Sequence, residues 1–180
     1  MNTNERVTMI AELANRDKNI GKTAMMKFLF LLQTVYSVPL GYDFEIYTYG
    51  PYSQSVMSDL EYAEYSGDIK VSPVYYPNGM NGYQINATEE GREIIKDNQD
   101  LINTYNTAIE NVIHFFAQKT AKELELYSTI VFVASSFTSN GWYESDNDIC
   151  STVKQIKPHF SDETISAAFS DLKSNHLIMA

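Results

Sequence analysis

At 180 residues, with 44% hydrophobic content and a net charge of −10, the chain suits one domain or two small lobes sharing a core, and its acidity disfavours bulk attraction to nucleic acid or anionic membranes. The single cysteine, Cys150, excludes an internal disulfide and fits a cytoplasmic protein. Met1 to Glu12 has no signal-peptide apolar core, and the longest apolar run, Phe28 to Leu32, is far short of a membrane span.

Val7, Ile10, Leu13 and Ala14 at helical spacing predict a first helix over Arg6 to Ala14. Asn19-Ile-Gly-Lys-Thr reads as a turn. A second helix over Thr23 to Tyr36 is apolar around most of its circumference, as a central core helix would be. Pro39-Leu-Gly41 ends it. Tyr42 to Tyr49 alternates as a short half-buried strand, and Gly50-Pro51 is expected to break it. Ser53 is a suitable N-cap for a third helix, Gln54 to Tyr65, which Gly67 closes.

Ile69 to Tyr76 and Gly82 to Asn86 flank Pro77-Asn-Gly-Met-Asn81, the pattern of a hairpin with an Asn-Gly turn. Thr88 caps a further helix with glutamates in its first turn. Helices are then predicted over Leu101 to Gln118, over Thr120 to Phe137 behind a capping box, over Ile149 to Ile156, and over Asp162 to Asn175 behind Ser161. Thr138 to Asp148 reads as a polar loop carrying Trp142-Tyr143 beside Glu144, Asp146 and Asp148, either an exposed anchor or a lid.

The order helix, helix, extended piece, helix, β-hairpin is that of a winged helix-turn-helix lobe. The expected class is therefore mainly α (α+β). A winged helix-turn-helix-like N-terminal lobe with one β-hairpin wing occupies 1–97. A helical lobe over 98–180 packs on it, or the two form a single compact domain.

In such a lobe the third helix is the one that would read DNA. Here it holds Asp59, Glu61 and Glu64 and no cation. From Phe28 to Ile69 there is no Lys or Arg, while ten of the thirteen tyrosines lie between Tyr36 and Tyr83. Tyrosine suits surfaces that exchange water for a partner, and a cation-free face does not suit phosphate. The window points to a protein partner, of basic character by charge complementarity. The candidate partner-binding residues are Tyr47, Tyr49, Tyr52, Asp59, Glu61, Tyr62 and Tyr65, with Gly50, Pro51 and Ser53 as a structural turn. The tyrosines have a purely structural reading too, packed on the core helix with their hydroxyls at the rim. The alternative, a DNA-binding regulator, would use the N-terminal cations Arg6, Arg16, Lys18, Lys22 and Lys27.

Enzymatic chemistry finds little support. Gly21-Lys22-Thr23 lacks the upstream glycine and strand of a phosphate loop. Glu123 and Glu125 splay apart on a helix. Cys150 and His159 have no evident orienting group. His114, His159 and His176 are too dispersed for a metal site. No catalytic residue, metal or cofactor is expected.

Lys27-Phe-Leu-Phe-Leu-Leu-Gln33 followed by Tyr47-Thr-Tyr-Gly-Pro-Tyr-Ser53 resembles the signature of the YwgA-like proteins. These are related to the Panacea (SocA-like) antitoxin domain and similar to the C-terminal region of some macrodomain antitoxins. Leu124 to Ala134 and Ile165 to Ile178 also look like that family's second half. The resemblance implies a small helical protein with a winged-helix-like lobe and no catalytic centre, acting by binding proteins such as toxins. The expected function is an antitoxin-like or adaptor interaction module.

Overall fold

The structure, a computed structural model, describes residues 1–75, 79, 81–141 and 145–178. The expected hairpin turn at Pro77 and Asn78, and the expected anchor Trp142-Tyr143 with Glu144, lie outside the described residues. The chain is mainly helical with a β-hairpin wing. Its elements are α1 (Thr3–Arg16), α2 (Lys22–Thr34), β1 (Glu45–Tyr47), β2 (Gly50–Tyr52), α3 (Gln54–Tyr65), β3 (Ile69–Tyr75), β4 (Asn81–Ala87), α4 (Glu89–Asp97), α5 (Gln99–Phe116), α6 (Ala121–Ser139), α7 (Asp146–Ile156) and α8 (Asp162–Ser174).

Local chemistry sets most boundaries. Asn2 and Glu5 form a capping box, so α1 begins before the apolar pattern does. Thr88 caps α4, Thr120 and Glu123 box the start of α6, and Ser161 caps α8. Helix α6 runs past the predicted end to Ser139, and in this last stretch Ser135, Ser136, Thr138 and Ser139 donate back to carbonyls of their own helix. Ser145 and Asp148 box the start of α7, which therefore opens at Asp146 and not at Ile149.

The wing pairs β3 with β4 antiparallel, from Ile69 opposite Ala87 to Tyr75 opposite Asn81. Its base is buried at Ile69, Ile85 and Ala87. Ile85 N donates to Ile20 O at 2.8 Å, which ties the wing to the turn between α1 and α2.

Helix α2 is the centre of the core. Every residue from Met25 to Leu32 is buried, including Lys27. One continuous apolar cluster runs from Val7 on α1 to Leu172 on α8 and so spans both expected lobes. At about 1.5–3 kcal/mol for each large apolar side chain removed from water, this cluster is the main stabilising term.

One expectation is corrected. Gly50-Pro51 does not end the extended segment; both residues form β2, which folds back on β1 with Ile46 opposite Pro51. The molecule thus has a second, smaller hairpin. Neither Thr48 nor Tyr49 has positive φ, so the left-handed step falls on Gly50, at φ +92. A Cβ at Gly50 would lie 3.1 Å from Ser128 Oγ and 3.3 Å from Glu125 O, so glycine is also needed to let the turn close onto α6. Ser128 and Thr129 bond carbonyls of their own helix and leave room for that approach.

Candidate functional site

The turn Tyr47-Thr48-Tyr49-Gly50 is held from beneath by two buried ammonium groups. Lys27, 3% exposed, donates to Pro51 O at 2.6 Å. Lys157, also 3% exposed, donates to Tyr47 O at 3.1 Å and to Thr48 O. Lys157 Nζ also lies 2.9 Å from Glu125 Oε1, an ion pair outside hydrogen-bond geometry, since that oxygen accepts no hydrogen bond. His159 Nε2 stands 3.4 Å from the same oxygen and is itself exposed.

Gln33 holds the approach to the hairpin. Its side-chain amide donates to Tyr42 O at 2.8 Å and accepts from Tyr42 N at 2.9 Å. So Lys27 and Gln33, both on α2, bind the extended segment that runs from Tyr42 to Pro51.

Burying two lysines and a glutamate is costly unless their polar atoms find partners. The effect of that arrangement is to fix a turn whose tip points outward. Tyr47 is 64% exposed and Tyr49 69%. Tyr52 is half-buried, its ring 5.7 Å from that of Tyr47, and its hydroxyl donates to Gln54 at 2.7 Å. Gln54 begins the outward face of α3, which continues through Ser58, Glu61, Tyr62 and Tyr65. At about 1.5 Å per residue that face extends some 16 Å from the hairpin. Tyr65 is 91% exposed, and Glu61 and Glu64 are in water.

Two sequence expectations are corrected at this site. Asp59 is not on the outward face. It is buried on the stripe Val56, Asp59, Leu60, Ala63, where Arg6 Nε donates to it at 2.6 Å and the Tyr42 hydroxyl at 2.8 Å. Ser53 occupies the N-cap position of α3, but its hydroxyl makes no cap bond; its backbone N–H faces Met26 Sδ at 3.4 Å. Gly50 and Pro51 are buried in the hairpin.

The N-terminal cations are dispersed into structural roles. Lys27 is buried as described. Arg6 is held by Asp59, and Arg16 by Glu12 and Asn106. Lys22 lies over the Tyr83 ring at 4.7 Å. Lys18 is exposed, near Asn15 Oδ1 at 3.4 Å. His114 and His176 are exposed, and burial raises the pKa of the half-buried Cys150 thiol. Among the described residues no group of three or more His, Cys, Asp or Glu could hold a metal ion, and no helix is long and apolar enough to cross a membrane.

No family model matches the chain, and no curated protein matches it.

Sequence reasoning missed Lys157, Glu125 and Gln33 as supports of the turn. Lys27 had a visible signal: it is the one cation inside the apolar run Met25 to Leu32, and a cation there requires a buried acceptor.

Burial, and after it the neighbouring Lys157 ammonium, push the Lys27 pKa down to about 8 from the ordinary 10.5, against a smaller upward pull from Glu125. A lysine with a lowered folded pKa binds fewer protons in the native than in the unfolded state between those values. Stability therefore rises with pH in that window, by up to about 3 kcal/mol. Above pH 10 the opposite sign takes over. Burial raises the pKa values of Tyr36, Tyr42 and Tyr127, so the unfolded chain ionises first and stability falls. The urea midpoint is expected to climb from pH about 8 to about 10 and then drop, and Lys27→Met to lack the climb. A flat wild-type profile up to pH 10 would refute the assignment.

Proposed function

We propose that this protein is a non-enzymatic interaction module, antitoxin-like or adaptor in type, that docks a basic protein partner. The docking face is the Tyr47–Tyr49 turn with the outward side of α3. The observation that carries this reading is the pairing of opposites at one turn. Exposed tyrosines stand on segments that carry acids and no lysine or arginine of their own, while the backbone beneath the turn is held by buried charge. Rigid aromatic side chains make contact area at low entropic cost, and a fixed turn keeps that cost low. The likeness to the YwgA-like and Panacea-related proteins supports the same reading. The DNA-binding alternative is weakened because Arg6, Arg16 and Lys27 already serve acceptors inside the fold.

Tyr49→Ala combined with Tyr65→Ala tests the reading. Exposed substitutions of this kind change stability by within about 0.5 kcal/mol, so the variant keeps its fold and its circular dichroism. Affinity capture from the native cell is expected to recover a basic protein with the wild type and at least about tenfold less with the variant. Equal recovery with a folded variant would refute the proposal.

A further inference from the structure

The small hairpin carries a feature that its role as a docking face does not require. Glu45 is exposed and pairs with no cation among the described residues. It alternates with Tyr47 along β1 and stands directly opposite Tyr52 in register. Directly opposed residues of an antiparallel pair have Cβ atoms about 4.5–5.5 Å apart, and residues two apart on a strand share a face. The Tyr47 and Tyr52 rings are 5.7 Å apart and inclined at 36°, in agreement with that shared face. A carboxylate therefore stands beside two aromatic rings, one of them 64% exposed. The ammonium groups of Lys27 and Lys157 are buried under the hairpin and committed to its carbonyls.

We propose that Glu45, Tyr47 and Tyr52 form a subsite for an arginine side chain of the partner. An aromatic face attracts a cation, and a carboxylate beside it gives that cation a hydrogen-bonding counter-charge. A guanidinium satisfies both at once, because it is planar enough to stack on the ring and presents paired N–H donors to the carboxylate. A lysine ammonium can meet either group but cannot stack, so the subsite discriminates between the two cations. It orients the partner by placing an arginine at the hairpin, with the remaining contacts spread along α3. The inference rests on the docking reading above and specifies its chemistry.

The probes are two capped tripeptides, Gly-Arg-Gly and Gly-Lys-Gly, titrated against the full chain while the tyrosine ring resonances are followed by NMR. The arginine peptide is expected to shift the Tyr47 and Tyr52 signals saturably. The lysine peptide should bind at least about threefold more weakly, the size of an exposed cation–π contact. Glu45→Gln and Tyr47→Leu should each weaken the arginine peptide by a similar factor. Equal binding of the two peptides, or binding unchanged by Glu45→Gln, would overturn the subsite as general attraction to an acidic surface. The two proposals fail separately. If Glu45→Gln retains the captured partner while Tyr49→Ala with Tyr65→Ala loses it, the arginine subsite is wrong and the docking face stands. If neither variant loses it, both are wrong.

Discussion

Lys157→Ala is expected to lower stability by about 3–5 kcal/mol, the cost of leaving a buried charge unpaired. Tyr47 O and Thr48 O lose their donor, and the Glu125 carboxylate loses its ion-pair partner. Glu125 is 7% exposed, so water does not replace the ammonium. His159 lies 3.4 Å from the same oxygen, but its side chain is half in solvent, and an exposed pair contributes only about 0–1 kcal/mol. One effect runs the other way. Lys27 loses a like-charged neighbour, which eases its own burial. That relief is the smaller effect, because desolvation and not Lys157 is the main cause of its lowered pKa. The measurement is urea unfolding, with a lower midpoint at unchanged slope. Chymotrypsin should also cut faster after Tyr47 or Tyr49, since the turn has lost its lower support. The double variant Lys157→Met with Glu125→Leu should recover the part of the loss due to the unpaired Glu125, because a paired charge replaced by apolar groups of similar volume is close to neutral, and should keep the part due to the Tyr47 and Thr48 carbonyls. A loss for Lys157→Ala below about 1 kcal/mol would mean that the pair behaves as a surface ion pair.

The fold was legible where its punctuation is local. Helix α3 runs from Gln54 to Tyr65, as read between Ser53 and Gly67. The capping box at Thr120 acts on a residue three positions away. What was not legible depends on residues brought together from far along the chain. Gly50-Pro51 reads as a break in isolation. It forms a strand paired with β1 and lies so close to Ser128 and Glu125, on another helix, that only a residue without a side chain fits at position 50 without displacement. Lys157 precedes Pro158 in an ordinary helix end, and nothing local shows that its ammonium reaches residues 47 and 48. Asp59 is a different kind of miss. Its position was readable, since it falls on the stripe of Val56, Leu60 and Ala63, but its charge argued for solvent. A charge on an apolar stripe calls for a distant counter-charge, here Arg6.

That counter-charge underlies the second large effect. Asp59→Ala is expected to cost about 3–5 kcal/mol, since it removes a buried carboxylate that is the shared acceptor of the buried Tyr42 hydroxyl and the half-buried Arg6 guanidinium. Arg6 meets Asp59 through two nitrogens, Nε at 2.6 Å and Nη2 at 3.3 Å, while the Tyr42 hydroxyl donates to Oδ2 at 2.8 Å. The guanidinium also lies 5.2 Å from the centre of the Tyr42 ring, so the three side chains form one unit. That unit joins α1, the segment leading into β1, and α3. For a chain of this size the loss corresponds to a drop in melting temperature of about 10 °C. Tyr42→Phe keeps the ring and the Arg6 pair and removes one hydrogen bond to a charge, so it should cost less, about 1.5–3 kcal/mol. The order of the two variants is the decisive result. Equal costs would show that Asp59 matters only as the acceptor for Tyr42, and that the Arg6 pair adds nothing. The same unit bears on docking, because Asp59 fixes which side of α3 faces the core and thereby holds Glu61, Tyr62 and Tyr65 outward. In the proposed mode of action, Asp59→Asn, which keeps side-chain volume while removing the charge, should weaken partner capture in proportion to the stability it loses. Weakening well beyond that proportion would mean that the orientation of α3 itself is what the partner reads.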